Sequence, residues 1–290
     1  DLSAKLRIPA YIVGLTVVAF GTSLPEAAVS ITASLQGSNE IAIGNIIGSN
    51  IFNTLVVLGA SALFAPVAVK GNILKRDFPF CIGITAVMIV LLMTLNHGDI
   101  ALTRLDGIIL LALFAVFMVG SVVMGKKESK LIESAEDSEK ADLPMWKCLL
   151  FIIIGFVGVV VGGQLTVKGA RELALMAGMS ERVVGLTVVA IGTSLPELVT
   201  SIVAARKQQN DIAVGNVIGS NIFNFLFILG ISATIGKIGT DFNVVIDGCV
   251  LIGICLFTYI FALANKKINR PCGVVMIFMY VAYTVYLLVR

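Results

Sequence analysis

The chain has 290 residues, of which 58% are hydrophobic and 13% charged, with a mean hydropathy of +0.99 and a formal net charge of +3. A soluble domain is about a quarter charged, which excludes a globular enzyme with one apolar segment, and so small a net charge gives no basic footprint for nucleic acid. Uncharged runs such as Phe80 to Leu95 approach the roughly 17 to 25 apolar residues that cross a bilayer, so the sequence specifies an all-α polytopic membrane protein.

Hydropathy places nine spans, in order 9–35, 41–64, 78–96, 105–124, 146–171, 182–205, 212–236, 244–264 and 271–289. Gly125 to Pro144 carries four lysines and six acids and reads as a solvated linker. The chain thus divides into a first half at 1–124, a linker at 125–145 and a second half at 146–290. The five cysteines are scattered without ligand spacing, so neither a disulfide framework nor a zinc site is indicated; they read as small packing residues. The N-terminal stretch and the loops after spans two, four, six and eight hold 15 of the 21 Lys and Arg, and the other side holds 6. By the positive-inside rule the linker is cytoplasmic and the C-terminus outside, in what reads as a prokaryotic inner or plasma membrane.

The strongest signal is an internal repeat. Gly14 to Glu26 reads GLTVVAFGTSLPE and Gly185 to Glu197 reads GLTVVAIGTSLPE; Gly44 to Asn53 reads GNIIGSNIFN and Gly215 to Asn224 reads GNVIGSNIFN. Both pairs are offset by 171 residues. Five spans separate equivalent positions, an odd number, so the copies cross in opposite directions. That is an inverted-topology repeat, with its binding site expected at the repeat interface near the midplane. The second half has a span, 146–171, ahead of its motif; its partner would precede residue 1. The expectation is therefore two repeats of five helices, the first helix of repeat 1 missing from this chain, with a natural nine-span protein as the alternative.

Of 18 acids, Glu26 and Glu197 alone read as lying well inside apolar spans, and no Lys or Arg lies at their depth. Carboxylates at such depth are costly and functional by default, and two without basic partners call for cations. Pro25 and Pro196 each remove a backbone donor and clash with the carbonyl four residues back. The helices are expected to unwind around Ala19 to Thr22 and Ala190 to Thr193, freeing carbonyls. Thr22 and Ser23 precede Glu26 at helical spacing, as Thr193 and Ser194 precede Glu197. On the next span Ser49 and Asn53, and Ser220 and Asn224, add neutral oxygens, while Gly44, Gly48, Gly215 and Gly219 permit close helix approach. Asn45, Asn50, Asn216 and Asn221 are read as interhelical hydrogen-bonding groups. An all-oxygen set suits Ca2+ or Na+ rather than metals that select His or thiolate, and two carboxylates neutralise one divalent cation or are shared by monovalent ions or protons. A channel is disfavoured by broken inverted repeats. An intramembrane hydrolase built on Ser23 or Ser194 lacks a base, since the only histidine, His97, falls in a loop. No P-loop is present, so no nucleotide is expected.

These motifs, GTSLPE at 21–26 and 192–197 and GSNIFN at 48–53 and 219–224, resemble the α-repeats of the cation/Ca2+ antiporter superfamily, and the prokaryotic sodium/calcium exchangers above all. The resemblance covers essentially the whole chain. It implies two inverted five-helix halves, a compact ion-binding core and two long helices that slide across it during alternating access. It implies exchange of Ca2+ for Na+, with H+ or K+ coupling as the alternative, and no enzymatic activity or resident cofactor. The implied ion ligands are Ala19, Thr22, Ser23, Glu26, Ser49 and Asn53, with Ala190, Thr193, Ser194, Glu197, Ser220 and Asn224. The partners implied are Ca2+, Na+, the lipid bilayer and the absent first helix, if it remains associated. Many family members carry Asp where this chain has Asn224, which leaves ion stoichiometry open.

Overall fold

A computed structural model describes residues 10–69, 71–94, 100–132 and 176–290, with scattered helical positions between 146 and 174. The helices are α1 (Gly14–Thr22), α2 (Leu24–Leu35), α3 (Asn39–Phe64), α4 (Ile73–Met93), α5 (Arg104–Ile132), α6 (Glu181–Thr193), α7 (Leu195–Arg206), α8 (Asn210–Ile235), α9 (Phe242–Asn265) and α10 (Arg270–Val289). Six are single helices long and apolar enough to cross a membrane, and α1 with α2 and α6 with α7 form two bent pairs, which would make eight. The span at 146–171, Cys148, His97, linker residues 133–145 and anything before residue 10 lie largely or wholly outside the described residues.

The expected unwinding is displaced. Ala19–Thr22 and Ala190–Thr193 stay helical, and the chain breaks at one residue in each half, Ser23 (φ −86°, ψ 6°) and Ser194 (φ −86°, ψ 9°). The bends are 53° and 45°. Each proline falls within the first two residues of the following helix, where its missing N–H costs nothing and its fixed φ suits a start. The proline therefore begins a new helix instead of fraying the preceding one. The Ala19 and Ala190 carbonyls accept the Ser23 and Ser194 N–H groups at 3.0 and 3.1 Å, so neither is freed as expected. The linker also starts later than its charge content suggests. α5 runs on to Ile132, because Lys and Glu are good helix formers once the helix leaves lipid.

Two short strand pairs fix which ends of the helices lie together. β1 (Val67–Ala68) after α3 pairs with β4 (Lys267–Ile268) after α9. β2 (Ala101–Leu102) after α4 pairs with β3 (Ile238–Gly239) after α8. Since α4 leads from one pair to the other, α3 ends on one face and its sequence copy α8 ends on the opposite one. The two run in opposite directions.

α3 and α8 form the centre, with 94% and 89% of their apolar windows buried against 17% for α5. Glycines let backbones meet there. A Cβ on Gly48 would strike the Leu186 carbonyl and, at 2.8 Å, Ala190; one on Gly219 would strike the Leu15 carbonyl and, at 2.8 Å, Ala19. Thus α1 crosses the second half's central helix and α6 crosses the first half's. The peripheral helices repeat the pattern, with Gly59 facing Gly273 and Gly230 facing Gly107.

The bent helices end alike as well. Ser38 N–H bonds to Ala33 O at 2.9 Å and Gln209 N–H to Ala204 O at 2.8 Å, the ring that closes a helix through a left-handed residue. That residue is Gly37 in one half (φ 77°) and Gln208 in the other (φ 59°). Glycine adopts this conformation without the Cβ strain that glutamine bears. Gln208→Gly is expected to raise stability by about 1 kcal/mol, read as a higher thermal midpoint in detergent. Gly219→Ala is expected to lower it by about 1–3 kcal/mol in the same assay, since a backbone carbonyl cannot move aside.

Candidate functional site

The break at Ser23 points the start of α2 into the protein, and the break at Ser194 does the same for α7. Glu26 and Glu197 sit in the first turns of those helices, where a partial positive charge favours an anion. Both are fully buried. Among the described residues neither has a Lys, Arg or His in ion-pair contact. Their hydrogen bonds cross between halves: Ser194 Oγ donates to Glu26 Oε1 at 2.8 Å, and Ser23 Oγ donates to Glu197 Oε1 at 2.9 Å. Ser220 Oγ also donates to Glu197 Oε1, at 3.2 Å. The serines thus do have an acceptor at hand, contrary to the expectation that no base lies near them. Each is turned to the glutamate of the opposite half.

The threonines point across too. Thr22 Oγ1 donates to Asn216 Oδ1 and Thr193 Oγ1 to Asn45 Oδ1, both at 3.1 Å. Asn45 and Asn216 are held in turn by Ser30 and Ser201, at 2.9 and 3.0 Å. Ser30 and Ser201 were not singled out from sequence. They are 171 residues apart in the same repeat, and that recurrence of a hydroxyl on a buried face was the available signal. Ser49 Oγ lies 3.4 Å from Thr193 Oγ1. Ala19 and Ala190 are buried where they pack on Gly219 and Gly48.

At the crossing of α3 and α8 four amides lock one another. Asn50 Nδ2 donates to the Asn221 backbone carbonyl at 3.2 Å, and a carbonyl can only accept, so Asn50 Oδ1 must face the other way. There it accepts from Asn224 Nδ2 at 3.0 Å. Asn221 Nδ2 donates to the Asn50 carbonyl at 3.4 Å and to Thr54 Oγ1 at 2.9 Å, while Asn53 Nδ2 donates to Asn221 Oδ1 at 3.3 Å. The amide nitrogens of positions 53 and 224 are consumed, so their oxygens are left over. π-turns begin at these two asparagines, Asn53–Val57 and Asn224–Ile228, a local widening common at functional sites.

Four of the buried oxygens without a hydrogen-bond donor belong to the residues singled out from sequence: Glu26 Oε2, Glu197 Oε2, Asn53 Oδ1 and Asn224 Oδ1. Unsatisfied buried acceptors on four helices, two of them carboxylate, are a donor set for a hard cation. Among the described residues no group of three His, Cys, Asp or Glu is placed to hold a metal, which leaves the mixed carboxylate, amide and hydroxyl set. The count of deep acids needs one correction. Asp77, Asp106 and Asp247 are fully buried as well, but near helix ends. Asp77 pairs with Arg76 at 2.6 Å, Asp247 with Arg290 at 3.1 Å, and Asp106 accepts from the Thr103 N–H and hydroxyl at 2.7 Å.

Residues 1–123 and 147–289 match the family of sodium/calcium exchanger proteins. The chain belongs to that family. Among its relatives, the inner membrane protein YrbG of Escherichia coli is 40% identical over 239 residues, 81% of this chain and 72% of its own length. The sodium/calcium exchanger MaX1 of Methanosarcina acetivorans is 31% identical across 99% of this chain and 91% of its own. The solved sodium-calcium exchanger NCX_Mj, soaked with Na+ and Ca2+, superposes with a TM-score of 0.78 at 33% identity, covering 97% of this chain and 88% of that one. The protein is a multi-pass, helical membrane exchanger.

The amide lattice makes a checkable demand. Asn50→Ala removes the acceptor that holds the Asn224 nitrogen and lets that side chain turn. Cation affinity, measured with Ca2+ by calorimetry on purified protein, is expected to fall about tenfold or more, the roughly 1–3 kcal/mol of a lost buried partner.

Proposed function

We propose that the protein is a secondary antiporter that exchanges Ca2+ for Na+ by alternating access, and that Glu26 and Glu197 hold the ions in turn. The single observation that carries this reading is the set of four donor-free oxygens on Glu26, Glu197, Asn53 and Asn224. Thr22, Thr193, Ser49 and Ser220 add hydroxyl oxygens around them, and Ser23 and Ser194 orient the carboxylates. The alanines at 19 and 190 act through packing against Gly219 and Gly48.

Competition drives the exchange in this mechanism. A divalent cation satisfies both carboxylates, and Na+ ions must displace it to occupy them, so Ca2+ leaves on whichever side Na+ is abundant. The halves act as inverted repeats, a view supported by the opposed directions of α3 and α8 and by the reciprocal glycine contacts. The names of MaX1 and NCX_Mj support the ion pair. A second reading couples Ca2+ to H+ or K+ and is favoured by the same two carboxylates, which bind protons or K+ as readily in principle. The 15-to-6 asymmetry of Lys and Arg supports a cytoplasmic 125–145 segment and an external C-terminus, and YrbG supports an inner membrane.

Glu26→Gln and Glu197→Gln are each expected to abolish exchange in proteoliposomes, followed as radioactive calcium uptake against an outward Na+ gradient. Full uptake by either variant would exclude the shared site. Uptake driven by a pH or K+ gradient and indifferent to Na+ would select the second reading.

A further inference from the structure

Two cysteines that stand far apart in the sequence meet where α4 packs on α9. Two contacts fix the register of these helices. The rings of Phe78 and Tyr259 lie 5.5 Å apart, and a Cβ on Gly248 would meet Ile89 Cγ1 at 3.0 Å and Met88 Cε at 3.5 Å. α4 and α9 therefore run antiparallel. Cys81 stands seven residues before Met88 and Cys255 seven after Gly248, two turns along the same faces. Cys81 also follows Phe78 by three positions and Cys255 precedes Tyr259 by four, which gives the same register. The thiols accordingly oppose one another, each 2% exposed and each free. The Cys81 thiol is in hydrogen-bonding contact with the Cys255 thiol and with the Asn221 side chain.

We propose that Cys81 and Cys255 form a second cation site, soft where the carboxylate site is hard, that takes one two-coordinate thiophilic divalent cation of the mercuric kind. Sulfur ligands select polarizable metals, whereas Ca2+ and Na+ are held by oxygen. Zinc requires four ligands, and among the described residues no third His, Cys, Asp or Glu completes a metal-holding group with the pair. Two opposed sulfurs suit a metal that is satisfied by linear coordination. On binding, both S–H bonds break, two S–metal bonds form and two protons leave to water. Two positive charges replace two, and the buried pair stays neutral.

The site also reaches the amide lattice. Asn221 holds the Asn53 nitrogen with its Oδ1 and bonds the Asn50 carbonyl and Thr54 with its Nδ2. A metal that draws Cys81 toward Cys255 takes the thiol from Asn221, and the loosened amide no longer fixes the oxygen of Asn53. Exchange is thereby shut off without contact to either glutamate. The site itself is independent of the exchange reading, and only its effect on transport rests on it.

The test combines Cys148→Ser, Cys249→Ser and Cys272→Ser, which leaves the pair as the only thiols of the chain, and adds one equivalent of mercuric chloride to the purified protein. When free thiols are counted after unfolding, one mercury is expected to remove two, against one after a further Cys81→Ser or Cys255→Ser. Loss of one thiol per mercury in the pair, or of both with no mercury retained, as a disulfide would give, overturns the site. If the triple replacement does not fold, the unaltered protein is treated with mercury, alkylated and digested. Peptides of Cys81 and Cys255 joined through one metal are expected, and separate peptides overturn the site equally. In proteoliposomes of the same background, mercury is expected to stop Na+-driven calcium uptake and to spare it in Cys81→Ser. Uptake that continues with both thiols bound overturns the link to Asn221. Absence of uptake before mercury overturns the exchange reading and this link together, while the thiol count still decides the site.

Discussion

A carboxylate taken from water to full burial gives up several kcal/mol of hydration, and Glu26 and Glu197 both stand in that condition with no base beside them among the described residues. The rest of the site answers that cost. Each acid begins a helix, where backbone N–H groups face it, and each takes a serine hydroxyl from the other half. These interactions satisfy one oxygen of each carboxylate. The second oxygen of each stays without a donor, which is the opening that the proposed cation would fill.

The hydrogen bonds between the halves require helices nearer than side chains normally allow. Gly48 and Gly219 provide that, since the helix crossing each one lays a backbone carbonyl where a Cβ would sit. The small residues and the polar ones are therefore two parts of one arrangement. Without the glycines, the hydroxyls of Thr22 and Thr193 would fall short of Asn216 and Asn45 on the facing helices. Membrane helices lack a hydrophobic drive to associate, and close packing with interhelical hydrogen bonds takes its place.

Much of this was legible in the residues. The hydropathy runs marked the spans, the 171-residue repeat marked both bent helices and both central ones, and absence of deep basic residues picked out Glu26 and Glu197. What the sequence could not show was direction. Spacing put Thr22 and Ser23 on the face of their own Glu26, but the bend at Ser23 breaks that helical register and turns both hydroxyls to the opposite half. The proline rule correctly marked a break and misplaced it, because a proline is equally content to start a helix. Asp77, Asp106 and Asp247 escaped notice because they lie near span ends, where hydropathy does not separate a buried acid from a wet one. The extension of α5 to Ile132 was hidden by the charge of the segment, which reads as loop until helix propensity is weighed against it.

The two halves differ in one detail within the amide lattice. Thr54 accepts from Asn221 and donates to the Asn50 carbonyl at 2.8 Å, whereas its repeat counterpart is Phe225, which can do neither. Mirror-related orientations of a transporter are isoenergetic only when its repeats are chemically the same. With a hydroxyl bridging one side and a phenyl ring on the other, the alternating access proposed above would start from unequal populations of its two facing states before any ion arrives.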